Sequence, residues 1–248
     1  MPTYVITCVG NFFVEICKWK KYFFWRYFEL LNRNNNIWGE GENISFLDYI
    51  FPNECPFCLK ESQDSICEEC YKKIDKYKYR KKSRNTAFVY RYKNELRDIF
   101  LDYKFNEKSY LYKTFSSTIL KNKNVCRNLK NYDIITPVPI SKSKYKKRGY
   151  NQSSLIAKEI AKKIGIDYKE ILQKVKDNNT QSLLSKEERI NNVKDSYQIK
   201  EFVEINKKII LFDDIYTTGA TSEECKKVLT RNGYKNILIF CLFRDWYI

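Results

Sequence analysis

The sequence predicts an α/β domain, in which a mostly parallel sheet is flanked by helices, preceded by a small four-cysteine module. Two observations carry this prediction. From about Thr86 onward, short apolar runs alternate with amphipathic stretches of helical spacing, as in sheets covered on both faces. Upstream, residues 51–70 contain two CxxC pairs in a short polar loop. We therefore predict an aromatic-rich N-terminal extension at 1–45, a cysteine module with a basic connector at 46–84, and the α/β domain at 85–248.

The composition of the chain excludes several classes of enzyme and points to anionic partners. The 248 residues contain no histidine, which excludes histidine-activated serine and cysteine nucleophiles and zinc sites that use imidazole. The 46 Lys and Arg against 30 Asp and Glu give a formal net charge of +16, which attracts nucleic acid, nucleotides or an anionic membrane. The enriched residues (Lys, Asn, Tyr, Phe and Ile) have A/T-rich codons, so part of this excess reflects base composition.

The first residues do not form the pattern of a secretory signal. No basic residue precedes Lys18, the apolar stretch Tyr4–Ile16 contains Glu15, and no small-residue cleavage site follows. No run of the sequence reaches the ~18 apolar residues that a membrane-spanning helix needs. We expect a cytoplasmic protein without a transmembrane segment, whose thiols stay reduced.

The extension at 1–45 has apolar and aromatic residues at helical spacing. Those that recur three or four positions apart are Phe12, Ile16, Trp19, Phe23, Tyr27 and Leu30. The pattern favours an aromatic helix packed on the body of the protein over an interfacial helix that binds a membrane or a partner.

The four cysteines of the module, Cys55, Cys58, Cys67 and Cys70, have the spacing of a metal site. Two CxxC pairs separated by eight residues supply the four thiolates of a tetrahedral zinc. A redox CxxC usually opens a helix after a strand, whereas these pairs lie in a short polar loop that has too little apolar surface to fold without a metal. We predict a structural zinc. The remaining cysteines are predicted to be small core residues: Cys8, Cys17, Cys126, Cys225 and Cys241.

A strongly basic run follows the cysteines. Between Lys72 and Arg84 there are eight Lys or Arg and one Asp in thirteen positions. The run predicts a solvated connector at a domain boundary.

The elements of the α/β region alternate regularly. Strand-like runs lie at 87–92, 132–139, 207–215 and 236–243, and helical spacing lies at 95–105, 110–120, 152–165, 185–192 and 221–233. Gly165 and Gly233 end two of these helices.

The segment after the strand at 207–215 carries the most chemistry. Asp213 and Asp214 end the strand, and the loop Thr217-Thr218-Gly219-Ala220-Thr221 opens a helix at the edge of the sheet where ligands bind. Gly219 lets backbone N–H groups converge on a phosphate, with the helix dipole and the threonine hydroxyls beside them. Adjacent carboxylates accept hydrogen bonds from vicinal hydroxyls. A phosphate beside a diol indicates a ribose 5-phosphate, and the spacing is not that of a P-loop.

This segment resembles the phosphoribosyl-diphosphate-binding signature of type I phosphoribosyltransferases. The wider chain, from about Ile50 to Leu242, looks like the ComF family, whose members combine a four-cysteine module with a phosphoribosyltransferase domain. The shared motifs are FPNECPFC at 51–58, TPVPISKSKYKKRGYNQ at 136–152, QSLLSKEERINNV at 181–193 and DDIYTTGAT at 213–221. The resemblance implies a type I phosphoribosyltransferase fold for the α/β domain.

The resemblance also implies roles for individual residues. Asp213 and Asp214 hold the ribose hydroxyls, and Thr217, Thr218, Gly219, Ala220 and Thr221 cradle the 5′-phosphate. The loop after Pro139 contacts pyrophosphate, which is bound with Mg²⁺, through Lys144, Arg148, Gly149, Tyr150, Asn151 and Gln152. A mobile loop contributes Gln181, Lys186, Arg189 and Asn192, and Lys104 lies in a YKF segment similar to one in the family. The chain departs from the family pattern at Ser141 (often histidine), Leu183 (usually glycine) and Tyr216 (usually aliphatic).

Three functional hypotheses follow from these residues. The first is an active phosphoribosyltransferase whose acceptor the sequence does not identify. The second, supported by the family resemblance, is an accessory in DNA uptake that binds phosphoribosyl diphosphate and single-stranded DNA. In that case the basic runs at 72–84 and 142–148 track the phosphate backbone, or they are simply a solvated, codon-biased surface. The third is a non-catalytic scaffold that docks a helicase through the zinc module.

Overall fold

A parallel sheet of five strands forms the centre of the computed structural model, which describes residues 54–79, 83, 85–106, 108–177 and 186–245. In spatial order the strands are β1, β7, β6, β2 and β3, and every neighbouring pair is parallel. Their bounds are β1 Thr86–Arg91, β2 Ile134–Pro137, β3 Asp167–Tyr168, β6 Ile209–Tyr216 and β7 Ile237–Arg244. A separate antiparallel pair joins β4, Leu172–Lys174, to β5, Tyr197–Ile199. The predicted fold class, a mostly parallel α/β sheet with a four-cysteine module, is confirmed.

Helices connect the strands and cover both faces of the sheet. Their bounds are α1 Glu68–Ile74, α2 Asn94–Phe105, α3 Tyr112–Leu120, α4 Lys123–Leu129, α5 Lys142–Arg148, α6 Gln152–Ile164, α7 Lys186–Val193 and α8 Ala220–Arg231, with short 3₁₀ turns at Asp75–Tyr77 and Ser109–Leu111. None of the helices in the described ranges has the length and apolarity that a membrane crossing requires. The helix predicted near residues 12–30, Cys8, Cys17, Gln181 and Leu183 lie outside the described residues.

The apolar strands face two cores, as their sequences predict. In β6, Ile210 and Phe212 point into one core while Ile209 and Leu211 point into the other, and all four are buried. The first core contains α2, α3 and α6, and the second contains α8 and the β4–β5 pair. Burial of β6 on both faces fixes the position at which its last residues leave the sheet.

The cysteine module belongs to the first core. Cys55, Ile66, Cys70 and Ile74 are buried in the same cluster as Phe115 of α3. All described residues lie in one compact unit, Asn53–Ile248.

Polar contacts also join the module to α3. The hydroxyl of Thr114 donates to the Ser65 carbonyl at 2.9 Å, and Lys121 lies 2.9 Å from a carboxylate oxygen of Asp64 and 3.2 Å from one of Glu68. The module is thus an integral part of the unit.

The first part of the basic run is not the solvated connector that its charge predicts. Ile74 and Tyr77 are buried, and the Tyr77 hydroxyl donates to Glu95 at 2.6 Å. Lys78 forms a β-bridge with Tyr90. The lysines therefore lie on the outer side of a segment anchored by two apolar side chains, and residues 80–82 and 84 are outside the described ranges.

The segment 142–148, predicted as a loop, is helix α5. The Ser141 hydroxyl caps it by accepting from the Lys144 N–H at 3.4 Å, and Gly149 ends it with φ of +77°. None of its seven residues is buried, so no apolar periodicity marks it in the sequence. Short elements without periodicity were missed for the same reason: α4, β3, β4 and β5.

Candidate functional site

A cavity of about 450 Å³ lies over the carboxyl ends of β2 and β6. It brings together residues that are far apart in the sequence, from Tyr92 to Asp245. The predicted site residues that line it are Lys104, Lys144, Arg148, Asn151, Gln152, Arg189, Asp213, Asp214, Thr217 and Thr221. A topology that places β2 beside β6 puts the loops after both strands at one edge of the sheet, and this explains the convergence.

The two aspartates at the end of β6 have different surroundings. Asp213 is buried and accepts hydrogen bonds from the Ser222 hydroxyl at 2.7 Å and the Asp214 N–H at 2.9 Å. Burial, together with the charge of Asp214, raises the pKa of Asp213 to about 7. Asp214 is partly exposed and accepts from Lys104 Nζ at 3.0 Å and from the Ile215 N–H at 2.7 Å. Burial alone would raise the pKa of Asp214, but the Lys104 charge and hydrogen bond outweigh it, so that pKa lies below its usual value.

We predict that Asp213 makes the stability of the protein fall as the pH rises from about 4 to about 7. Its folded-state pKa of about 7 lies above the value of about 4 in an unfolded chain. The folded state therefore binds this proton more tightly, and the resulting stability, on the order of a few kcal/mol, is complete below pH 4 and lost as the pH approaches 7. Urea unfolding of the wild type and Asp213→Asn at several pH values measures this loss. The difference in free energy of unfolding between the wild type and Asp213→Asn should narrow or reverse with rising pH. If the two free energies change with pH in parallel, the raised pKa of Asp213 is contradicted.

The loop after β6 turns sharply at Gly219, which has φ of +81° and precedes the first residue of α8. The Ala220 N–H donates to the Thr218 hydroxyl at 3.3 Å, and the Glu223 N–H donates to the Gly219 carbonyl at 2.8 Å. Of the five predicted phosphate-loop residues, Thr217 and Thr221 line the cavity. The other three shape the turn.

Tyr216, larger than the family pattern expects, packs behind this loop. A Cβ atom placed on Gly219 would lie 2.1 Å from the Tyr216 hydroxyl, so the ring covers the glycine directly. The Arg244 guanidinium lies 4.6 Å from the centre of the Tyr216 ring and donates to the Thr217 carbonyl at 3.1 Å. The tyrosine thus packs against the loop and does not line the cavity.

Helix α5 supplies two cations to the cavity, Lys144 and Arg148. Both side chains are half-buried, and this partial burial lowers the pKa of each. Arg148 donates to Gln152 Oε1 at 3.2 Å and lies 5.1 Å from the centre of the Phe105 ring.

Two of the six predicted pyrophosphate residues have structural roles. Gly149 ends α5, and the Tyr150 hydroxyl donates to the Tyr103 carbonyl, so neither lines the cavity. Asn151 both lines the cavity and caps α6, accepting from the Ser153 N–H at 3.1 Å.

The predicted closing segment reaches the phosphate loop through Arg189. Its guanidinium donates to the Thr217 hydroxyl at 3.5 Å. Lys186 begins α7, and Asn192 on the same helix is half-buried and does not line the cavity.

Lys174 is a cation of the cavity that the sequence reasoning missed. It ends β4 and lines the cavity together with Tyr197, its partner in the β4–β5 register. Burial, assisted by the Lys144 charge, lowers the pKa of Lys174 to about 8. Because Lys174 ends a strand of three residues outside every recognised motif, no periodicity or spacing in the sequence points to it.

The four predicted metal ligands lie together. The sulfur atoms of Cys55, Cys58, Cys67 and Cys70 are all within 4.8 Å of one another, and those of Cys58 and Cys67 are 3.7 Å apart. A tetrahedral ion with bonds of about 2.3 Å places its sulfur ligands about 3.8 Å apart, so the donor set fits zinc. The Cys70 N–H donates to Cys67 Sγ at 3.4 Å and lowers the pKa of the Cys67 thiol to about 7. This favours the thiolate form of Cys67, whereas burial raises the pKa of the Cys55 and Cys70 thiols.

Comparisons with known proteins give several sequence relatives. No family model matches the chain. Competence protein ComFC of Streptococcus pneumoniae is 30% identical over 217 residues, which are 87% of this chain and 91% of that protein. Competence protein F of Haemophilus influenzae is 32% identical over 47% of this chain and 52% of its own length. DNA utilization protein YhgH of Escherichia coli is 29% identical over 45% and 49%. The chain thus matches about half the length of the last two.

Solved structures with some likeness to the chain include phosphoribosyltransferases. A hypoxanthine phosphoribosyltransferase from Staphylococcus aureus is 14% identical over 54% of this chain and 62% of its own, with a TM-score of 0.34. A purine phosphoribosyltransferase from Pyrococcus horikoshii is 11% identical over 66% and 92%, with a TM-score of 0.33. Because these identities and TM-scores are low, the assignment to a family depends on the sequence relatives.

Proposed function

This chain belongs to the ComF family of competence proteins, and from that membership we propose that it binds phosphoribosyl diphosphate with Mg²⁺ and assists DNA uptake for natural transformation. In this proposal the protein acts in the cytoplasm, which is the location that the sequence predicts. The relatives are named competence proteins and DNA utilization proteins, and these names support the biological part of the proposal. The biochemical part is supported by the site.

The observation that carries the proposal is the composition of one cavity. A pair of carboxylates, Asp213 and Asp214, lies beside a glycine turn at a helix N-terminus, and Lys144 and Arg148 face the same space. A ligand that satisfies all three groups carries a diol, a phosphate next to it, and further negative charge on the other side. Phosphoribosyl diphosphate has this arrangement.

The residues of the chain suit transfer of the ribosyl group without histidine. As pyrophosphate leaves the ribose, positive charge develops on the ring and negative charge on the leaving group. Asp213 and Asp214 stabilise the ring through its hydroxyls, while Lys144, Arg148 and Arg189 stabilise the pyrophosphate. When bound with the ligand, Mg²⁺ supplies further positive charge to the pyrophosphate. The chemistry is positional and electrostatic, and the acceptor is a nucleophile that this site leaves unspecified.

Turnover is tested by pyrophosphate release from phosphoribosyl diphosphate with a panel of candidate acceptors. An active transferase should release pyrophosphate with at least one acceptor, and Asp213→Asn should abolish the release. If no acceptor gives release, the protein binds the ligand without catalysing transfer. This is what the second hypothesis, an accessory in DNA uptake, expects.

Helix α5 supports handling of single-stranded DNA. Five of its seven residues are Lys or Arg, none is buried, and Tyr145 on the same helix is 55% exposed. Cations beside an exposed aromatic ring are the arrangement that binds single strands, through phosphate contacts and base stacking.

We predict that Lys146→Ala/Lys147→Ala weakens single-stranded DNA binding and its salt dependence. Both side chains are exposed and lie outside the cavity lining. Loss of two phosphate contacts should reduce the slope of log affinity against log salt by about 1.4. Fluorescence anisotropy with a labelled oligonucleotide measures the slope. The matched control is Lys162→Ala/Lys163→Ala, an exposed pair at the end of α6 remote from the cavity. Equal slopes in both variants would overturn the assignment of α5.

We further propose that the metal of the cysteine cluster is zinc and that its role is structural. The four sulfur atoms fit a closed tetrahedral site, which leaves no position for a substrate. The helicase-docking scaffold stays a prediction of the sequence.

A further inference from the structure

The position of Lys174 is fixed by the β4–β5 pair. Lys174 lies directly opposite Tyr197, and its Nζ is 5.3 Å from the centre of the Tyr197 ring. One residue further along, the Val175 N–H donates to the Ser196 carbonyl at 2.8 Å, and this hydrogen bond extends the pairing beyond Lys174. Lys174 is therefore fixed at the end of β4, beside the first residue of β5.

The charged and titratable groups that face Lys174 do not neutralise it. The charge of Lys144 on α5 lowers the pKa of Lys174, while Cys225 of α8 and Asp177, three residues after Lys174, act to raise it. Asp177 accepts a hydrogen bond from the Ser143 hydroxyl at 2.7 Å. Within the described part of the chain, neither Lys174 nor Lys144 has a carboxylate within 4.0 Å. Lys144 and Lys174 thus face one cavity in which Asp214 is paired with Lys104 at 3.0 Å and contacts neither of them. A bound anion would stabilise this arrangement.

We propose that Lys174 is a ligand-binding residue of this site, which contacts the polyanionic ligand from the β4–β5 side of the cavity, together with Lys144 of α5. The proposal rests on the proposed function only for the identity of the ligand. No recognised motif of the sequence includes this lysine.

Binding through Lys174 has a measurable consequence. Since burial and Lys144 lower its pKa to about 8, about half of the free protein carries a neutral Lys174 at pH 8. A bound polyanion raises this pKa, so the neutral fraction takes a proton from the buffer. Binding at pH 8 should therefore take up about half a proton through this residue.

Calorimetric titration at pH 8 in two buffers of different ionisation enthalpy tests the proposal. Phosphoribosyl diphosphate with Mg²⁺ and inorganic pyrophosphate with Mg²⁺ are the two ligands. Lys174→Met should weaken binding about tenfold or more, because a charged contact is lost. Lys174→Arg should keep the affinity but lose the proton uptake, because guanidinium stays charged at this pH. The control Lys162→Met removes the same charge from an exposed position on α6 and should behave as the wild type.

The outcomes separate the proposal from the proposed function. Unchanged affinity of Lys174→Met for a ligand that the wild type binds would overturn the role of Lys174 while the function stands. Unchanged proton uptake in Lys174→Arg would also overturn it. If the wild type binds pyrophosphate but not phosphoribosyl diphosphate, and the Lys174 variants show the predicted effects, the inference is supported and the proposed ligand is contradicted. If the wild type binds neither ligand, both are overturned.

Discussion

Removal of the proposed zinc from the cysteine cluster is expected to lower the midpoint of thermal unfolding by about 10 °C or more. Structural zinc contributes several kcal/mol of folding free energy, and each kcal/mol shifts the midpoint of a unit of this size by about 2–4 °C. The effect should extend beyond the module, because Cys55 and Cys70 are buried in one core with Ile66, Ile74 and Phe115. Without the ion, four thiol groups would be left crowded within 4.8 Å of one another.

The measurement is thermal unfolding followed by circular dichroism, before and after a zinc chelator, with zinc content determined in parallel. Cys58→Ser should lower both the zinc content and the midpoint. Cys126→Ser is the matched control, since Cys126 is half-buried on α4 and lies outside the cluster. A protein that binds no zinc, or loses it with no change in the midpoint, would contradict the structural role.

Gly219→Ala is expected to weaken the binding of phosphoribosyl diphosphate by about a hundredfold. An alanine at φ of +81° is strained by about 1–2 kcal/mol, and its Cβ would meet the Tyr216 hydroxyl at 2.1 Å. Relief of that contact requires the loop or the tyrosine to move, and either movement should displace the N–H groups that we propose bind the phosphate. The expected loss combines these effects and corresponds to about 3 kcal/mol.

The chain offers a matched control for this substitution. Gly165 ends α6 with φ of +74°, and a Cβ there would meet no atom within 4 Å. Gly165→Ala should therefore cost about 1–2 kcal/mol of stability and leave ligand affinity unchanged. Tyr216→Ile in the Gly219→Ala background removes the contact and should restore part of the affinity. Equal affinities of Gly219→Ala and the wild type would show that the turn does not hold the phosphate.

The parts of the fold with strong local signals could be predicted from the sequence. Strand β6 and helix α8 are long and are bounded by polar or glycine residues, and most of their buried residues are apolar. The convergence of Lys104, Arg148 and Asp214 was expected only through the family resemblance. The structure gives its physical basis, since adjacent strands β2 and β6 end at the same edge of the sheet.

The parts that could not be predicted depend on contacts distant in sequence. Helix α5 has no apolar stripe and forms because Ser141 caps it and Gly149 ends it. Ser141, where the family often has histidine, is buried and lines the cavity, so a small capping residue replaces a larger ring there. The basic run after the cysteines looked solvated because its charge outweighs Ile74 and Tyr77, the two residues that anchor it.

The central claim is that the cavity over β6 binds phosphoribosyl diphosphate, and calorimetric titration with that ligand and Mg²⁺ tests it most directly. The wild type should bind one molecule per chain. Asp214→Asn should bind at least about thirtyfold more weakly, because a charged acceptor of the ribose hydroxyls and the partner of Lys104 is lost. The control Asp167→Asn, an exposed carboxylate on the edge strand β3, should bind as the wild type does. Absence of heat with the wild type, or equal affinity of the wild type and Asp214→Asn, would contradict the account.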